Sequence, residues 1–301
     1  MTWRQAAHKT SVRPATADDV DTMVALLHAQ MNSRFSRERW RRLFDYSWCP
    51  ERPDFGRVAF LNGELVGCCA AVYADRAING ARHRIVNPCA WYLDRRARGS
   101  GLGMKLMADL VAHPEWTAQI SSSSKLTTGL LDRIGFQVLD THKFVWTSSN
   151  AHVTNTSPTP TTLLTDRTNI ATRLAPDDRQ KLNDHDATFT TPILVSMENG
   201  QEIFLLVRDC IKSGDERWLD VMFVSDADLL ARHGQTIANK MSSAGNPVRL
   251  AIDERLCPNG GHTAERLAID PPRYWKPAPG VAAGAVDHLY TEVPLLGLKL
   301  A

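Results

Sequence analysis

The sequence predicts an α/β (α+β) protein of two domains, built on mixed, mostly antiparallel sheet flanked by helices. Three observations predict it. Asn62-Gly63 and Asn79-Gly80 sit between apolar runs as two-residue hairpin turns, so the strands they join are antiparallel. The run before residue 94 breaks into a glycine-rich turn and opens an amphipathic helix, a crossover that returns the next strand parallel. After a stretch rich in Ser, Thr, Asn and Pro, the order meander, helix, strand comes back between residues 193 and 252. With 301 residues, 43% of them hydrophobic, the chain can bury two cores.

In chain order, Ser11–Pro14 reads as a short first strand. Thr16 caps a helix whose apolar members Val20, Met23, Val24 and Leu27 fall on one face. A second short helix after Ser36 turns Trp40, Leu43 and Phe44 inward. Its arginines at 34, 37, 39, 41 and 42 read as a solvated face, with contact to an anionic substrate as the alternative. Strands near Arg57–Leu61 and Glu64–Tyr73 flank the first Asn-Gly turn, and the second turn leads into a long strand near His83–Leu93.

The stretch Ala90–Met107 organises the rest. Leu102, Leu106, Leu110 and Val111 share one helical face. Glycines at 99, 101 and 103 let the backbone turn sharply and come close to a ligand, and the free N–H groups of the first helical turn point outward at the positive end of the helix dipole. Arg95, Arg96 and Arg98 add charge, so the expected ligand carries phosphate. A Walker loop is excluded because Gly103 is followed by Met104 and Lys105. A dinucleotide fingerprint fits poorly, because Met104 stands where its third glycine belongs and most of a domain precedes the turn.

The surviving pattern, Arg98-Gly99-Ser100-Gly101-Leu102-Gly103, resembles the acyl-CoA-binding pattern Arg/Gln-x-x-Gly-x-Gly/Ala of the GCN5-related N-acetyltransferases (GNAT). The resemblance implies that the loop amides hold the CoA pyrophosphate and that the strand before the loop splays from its neighbour. It also implies that backbone groups of Trp91, Tyr92 and Leu93 pair with pantetheine and stabilise the oxyanion. Thr117–Ser121 should return parallel to that strand. Residues 124–136, ending at Gly135-Phe136, resemble the family's Asn-x-x-Ala-x-x-Leu-Tyr-x-x-x-Gly-Phe helix, and Phe136–Trp146 the strand after it. The likeness spans roughly residues 11–147. Ser124 stands at the family's Asn, where it would hydrogen-bond the cofactor arm or cap the helix. Leu131 stands at the Tyr that protonates the departing thiolate, Cys89 where some relatives carry a Glu base, and Arg95 where a Pro is frequent. The expected cofactor set is therefore Trp91, Tyr92, Leu93, Arg98, Gly99, Ser100, Gly101, Leu102, Gly103 and Ser124. Cys89, Tyr92 and Ser124 are the candidates for catalysis. Glu64 and His83 are further ionisable groups on the flanking strands.

A domain spanning 1–147, a linker at 148–164 and a second domain at 165–301 are expected. In the second half, strands at 193–197, 202–208 and 218–224 lead through Asp226 to a helix with Leu229, Leu230, Ile237 and Met241, then to a strand at 247–252. No glycine opens the turn, and Asp226 and Asp228 would repel a diphosphate by roughly a kcal/mol each. The half reads as a degenerate acetyltransferase-like repeat that binds no CoA, with an unrelated α/β domain as the alternative. Val286–Leu296 alternates like a strand, and Pro271–Pro277 reads as an aromatic, proline-flanked loop.

A net charge of +2 gives no whole-surface case for nucleic acid or membrane. The six cysteines lack metal-ligand spacing and read as reduced core residues. Met1–Arg13 lacks the apolar run of a signal peptide, so a cytoplasmic protein is expected. Acetyl-CoA or another acyl-CoA is the implied cosubstrate, with no metal, and a small-molecule amine is the implied acceptor. Non-catalytic sensing of acyl-CoA and, more distantly, nucleotide-dependent oxidoreduction stay open, as does the oligomeric state.

Overall fold

A computed structural model describes residues 9–148, 160–242, 247–261 and 263–301. They fold into two compact units, the first comprising residues up to Ile120 with Leu126–Gln137 and Trp275–Val281, the second Ser121–Lys125, Val138–Tyr274 and Ala282–Ala301.

In the first unit β1 (Thr10–Pro14) hands over at Thr16, whose N–H donates to Asp19 Oδ2 at 2.8 Å. A short 3-10 turn then opens α1 (Val20–Leu26), which finishes in a π turn at Leu27–Met31. Ser36 caps α2 (Arg37–Arg41) by accepting the Arg39 N–H at 3.2 Å. Then come β2 (Gly56–Leu61), β3 (Glu64–Ile78), β4 (Ala81–Leu93), α3 (Leu102–Leu110), β5 (Thr117–Ile120) and α4 (Thr128–Ile134). Both Asn-Gly turns have positive φ at both residues, 52° and 85° at Asn62-Gly63 and 52° and 78° at Asn79-Gly80. That is the primed turn matching strand twist. The strands lie in the order β1-β2-β3-β4-β5, antiparallel except that β5 returns parallel, with Ile85 opposite Thr117. The helix α3 packs across β1 to β4 through fully buried Leu106 and Leu110.

The second unit adds β6 (Gln137–Thr147), β7 (Pro160–Leu164), α5 (Arg167–Arg173), α6 (Pro176–Asp184), β8 (Thr191–Met197), β9 (Glu202–Ile211), β10 (Arg217–Val224), α7 (Ala227–Met241), β11 (Val248–Asp253), β12 (Glu265–Lys276) and α8 (Glu292–Leu296). Its strand order is β12-β6-β11-β10-β9-β8-β7. The pairing of β8, β9, β10 and β11, twice antiparallel and then parallel, repeats that of β2 to β5. Alternation sorts the strands between two cores. Ile193, Val195 and Leu205 meet Leu229, Leu230 and Ile237 of α7, while Leu194, Phe204 and Leu206 meet Ile170 and Leu182 of α5 and α6.

The structure departs from the sequence-based expectation in five places. The strand ending at Thr147 leaves the first unit and pairs antiparallel with β11, Trp146 opposite Leu250, so the compact units do not divide at residue 147. The indole of Trp146 explains this, because it is fully buried among the α7 core and lies on Gly234, where a Cβ would come within 2.4 Å. Of the expected linker, residues 149–159 lie outside the described residues, and Pro160–Leu164 is β7, paired with β8. Ser124 falls outside the helix, which begins at Thr128 with Thr127 as its cap residue. Pro271–Lys276 is strand and not loop. Val286–Thr291 is an irregular strap that ends in α8, because Thr291 Oγ1 accepts the Val293 N–H at 3.2 Å and turns the chain into helix.

Candidate functional site

The strand β4 carries two irregularities. Cys89 faces Ala70 and Tyr92 faces Cys68, which leaves Ala90 and Trp91 together opposite Cys69. This is a bulge, and Ala90 takes a positive φ of 46°, the left-handed region that one class of bulge uses at its first residue. On its other edge β4 pairs with β5, among the described residues, at Ile85 opposite Thr117 and Val86 opposite Ala118, and then runs on to Leu93. The fully buried Asn87 fills the point of the fork. Its Nδ2 donates to the Gln119 carbonyl at 2.8 Å, so a side chain replaces the next ladder bond and holds the strands apart. Pro88 comes next, and ladder alternation turns its backbone nitrogen to this unpaired edge, where a missing N–H costs no hydrogen bond.

The same alternation places the predicted backbone groups. Asp94 N–H donates to Val66 at 2.8 Å, so Cys68 and Tyr92 form the next bonded pair and the Leu93 groups face away from β3. Leu93 thus presents its backbone to the open edge, with Arg98 Nε donating to its carbonyl at 3.2 Å, whereas the backbone of Tyr92 is held in the ladder. The Trp91 indole N–H donates to the Gly103 carbonyl at 3.1 Å and ties β4 to the first turn of α3.

The loop itself is built by local bonds. Asp94 accepts the Arg96 N–H at 3.0 Å and starts a 3-10 turn over Arg95–Ala97. Ser100 Oγ donates to the Ala97 carbonyl at 2.5 Å and accepts a long 3.4 Å bond from Leu102 N–H. Gly99 and Gly101 have φ of 81° and 82°, a region costing an L-residue roughly 1–2 kcal/mol. Gly103 instead lies inside the first helical turn, where an added Cβ would meet only Leu93 Cδ2 at 3.6 Å. The first bond of the helix runs from Lys105 N–H to Gly101 at 3.0 Å, and among the described residues no hydrogen bond reaches the amides of Gly101, Gly103 or Met104. Arg95 and Arg98 are exposed in the same loop, while Arg96 is drawn off to Glu64 at 2.5 Å. That hydrogen bond lowers the Glu64 pKa and marks its carboxylate as a surface partner of the loop.

Other candidates are placed elsewhere. Cys89 is buried at 6% exposure beside the bulge. Leu131, at the family's tyrosine position, is 1% exposed in α4. Ser124 is exposed and belongs to the Ser121–Lys125 segment that clusters with the second unit. His83 lines a pocket of about 530 Å³ with Asp75, Arg82, Arg84, Glu115 and Trp116 at the far end of β4, roughly 20 Å of strand from the bulge. Of the helix α2 arginines, Arg41 pairs with Asp21 and Arg39 lies over the Phe35 ring. The residues that sequence reasoning missed are Asn87 and Pro88. Their signal was a buried-strand pattern interrupted by an amide and a proline, the mark of an unpaired edge. Among the described residues no helix is long and apolar enough to cross a membrane, and no cluster of three His, Cys, Asp or Glu suits a metal.

Residues 20–119, which include the fork, the bulge and the loop, match the acetyltransferase (GNAT) family. No curated protein sequence matches the chain significantly. Among solved structures it is similar to a probable N-acyltransferase from Enterococcus faecalis V583, with a TM-score of 0.57 and 12% identity over 89% of this chain and 72% of that one. It is also similar to a GCN5-related N-acetyltransferase from Kribbella flavida, with a TM-score of 0.56 and 11% identity over 90% and 71%. A third, from Anabaena variabilis ATCC 29413, gives 0.53 and 11% over 89% and 72%. At such identities the likeness is one of fold.

Proposed function

From the premise that residues 20–119 form a GNAT domain, we propose that the protein is an N-acyltransferase. It moves an acetyl or short acyl group from acyl-CoA to a primary amine of a small molecule, an amino sugar being one candidate, in the cytoplasm. One observation carries the reading: the unbonded amides at the start of α3 close the loop that follows a strand which, among the described residues, is bulged and unpaired on its open edge. The amides of Gly101, Gly103 and Met104, with Arg95 and Arg98, suit the diphosphate. The Leu93 backbone on the unpaired edge suits the pantetheine amides. The neutral amine attacks the thioester carbonyl, and a backbone N–H at the bulge receives the developing oxyanion. Most of the rate then comes from alignment and from that donor.

The acid is the weak point. Leu131, a buried aliphatic side chain, cannot protonate the departing thiolate. This favours a second reading, an acyl-CoA sensor without turnover. Release of free thiol from acetyl-CoA and longer acyl-CoAs against pooled amines separates the two. Acceptor-dependent release that vanishes in Gly103→Glu, with the variant folded, is the expected result. Stoichiometric binding without release over a broad panel favours the sensor, and absence of CoA binding to the wild-type chain overturns both.

A further inference from the structure

The second unit keeps a fork of the same make. β10 pairs with β11 as far as Asp220 opposite Ala251 and then runs on to Val224. It carries its own bulge, with Met222 extra between the pairs Val221–Val207 and Phe223–Leu206. The two forks differ in the connection to the next helix. Eight residues, Asp94–Gly101, join β4 to α3, but two, Ser225 and Asp226, join β10 to α7. The Asp226 carboxylate accepts the Leu229 N–H at 2.8 Å, so the amide end of α7 is already met by an anion of the chain itself.

The fork is also filled. His288 N–H donates to the Met222 carbonyl at 3.1 Å on one arm, and His288 Nε2 lies 2.7 Å from Asp253 Oδ2 at the end of the other. One residue therefore spans both strands. Its neighbours seal the seat. Leu289 is fully buried with Phe204, Leu206 and Met222, and its carbonyl lies 2.7 Å from His185 Nε2. Tyr290 donates from its hydroxyl to Asp184 Oδ2 at 2.9 Å. His288 Nδ1 lies 3.0 Å from Ser121 Oγ, and Arg273 Nε holds Asp253 at 2.8 Å. Val286 and His288 are both at 0% exposure.

We infer that the strap Val286–Thr291 is a built-in occupant of the second fork, seated where an acyl-CoA arm would otherwise enter, so that each chain takes one acyl-CoA and not two. The inference rests on reading the first fork as the acyl-CoA groove. In a calorimetric titration of the full chain with CoA, one equivalent is expected, falling to none in Gly103→Glu. A second equivalent, or binding that survives that substitution, overturns the inference. Amide hydrogen exchange tests the strap without any ligand. The His288 amide should exchange about 10³-fold or more slowly relative to an open amide, as for a group released only with its surrounding core, and saturating CoA should leave it and residues 222–226 unchanged. Fast exchange there, or a CoA-induced change at either segment, overturns the proposal. Should the chain bind no CoA, the acyltransferase reading fails by itself, and the exchange rate of His288 in the free protein still decides whether the strap is seated.

Discussion

His288, Ser121 and Asp253 have the connectivity of a hydrolytic triad, yet none is more than 3% exposed, and the same Asp253 oxygen is shared with Arg273 and Arg255. No substrate reaches that serine, and the group acts as a structural clasp. Burial drives the His288 pKa down to about 4 against the pull of Asp253. The imidazole is neutral in the folded chain, and in the unfolded chain it takes a proton below about pH 6.5. The unfolded state then binds the extra proton, so stability falls as pH drops from about 6.5 towards 4 and this contribution is flat above 7. His185 and His233, also lowered by burial, act with the same sign. Urea unfolding at pH 7 and pH 4.5 should show wild type losing on the order of 2 kcal/mol more than His288→Gln. An equal loss in the two proteins would show that His288 does not carry the acid sensitivity.

At the scale of elements, the two strand-to-helix connections account for the difference between the units. One ends in unbonded amides, the other in a carboxylate cap. Asp226→Ala should therefore cost about 1 kcal/mol of stability through the lost cap and leave CoA affinity unchanged. A large change in affinity would show that the second unit takes part in binding. Gly103 is the sharper probe of the first connection than Gly101, because only its backbone lies where a side chain fits without strain. The glycine spacing, the hairpin turns and the parallel return were legible in sequence because each rests on local backbone chemistry. The fork was not read from the residues themselves, since Asn87 declares its role only when the Gln119 carbonyl is found opposite.

For the whole molecule, binding and stability are linked, since a ligand that binds the folded chain raises its unfolding free energy. At a free CoA concentration about one hundred times its dissociation constant, the gain should be about 2.7 kcal/mol, and it should be absent in Gly103→Glu. A stabilisation of equal size in that variant would move the site away from the α3 amides. The membership of β6 belongs to this scale too. Residues 137–147 read correctly as a strand, but its pairing with β11 goes with the seat of Trp146 on Gly234, a contact between residues far apart in the chain.

Sequence by itself determined what local chemistry decides: the two hairpin turns, the helix that opens after the glycine loop, the two-fold recurrence of the meander, and an anion-ready turn between residues 98 and 103. Tertiary structure decided what depends on partners distant in the chain: that β4 and β5 separate at Asn87, that Leu131 is shut in a core, and that Val286–Thr291 lies in the second fork instead of forming a strand. An alternating apolar pattern states only that one face is to be buried. What buries it is chosen when the whole chain has packed.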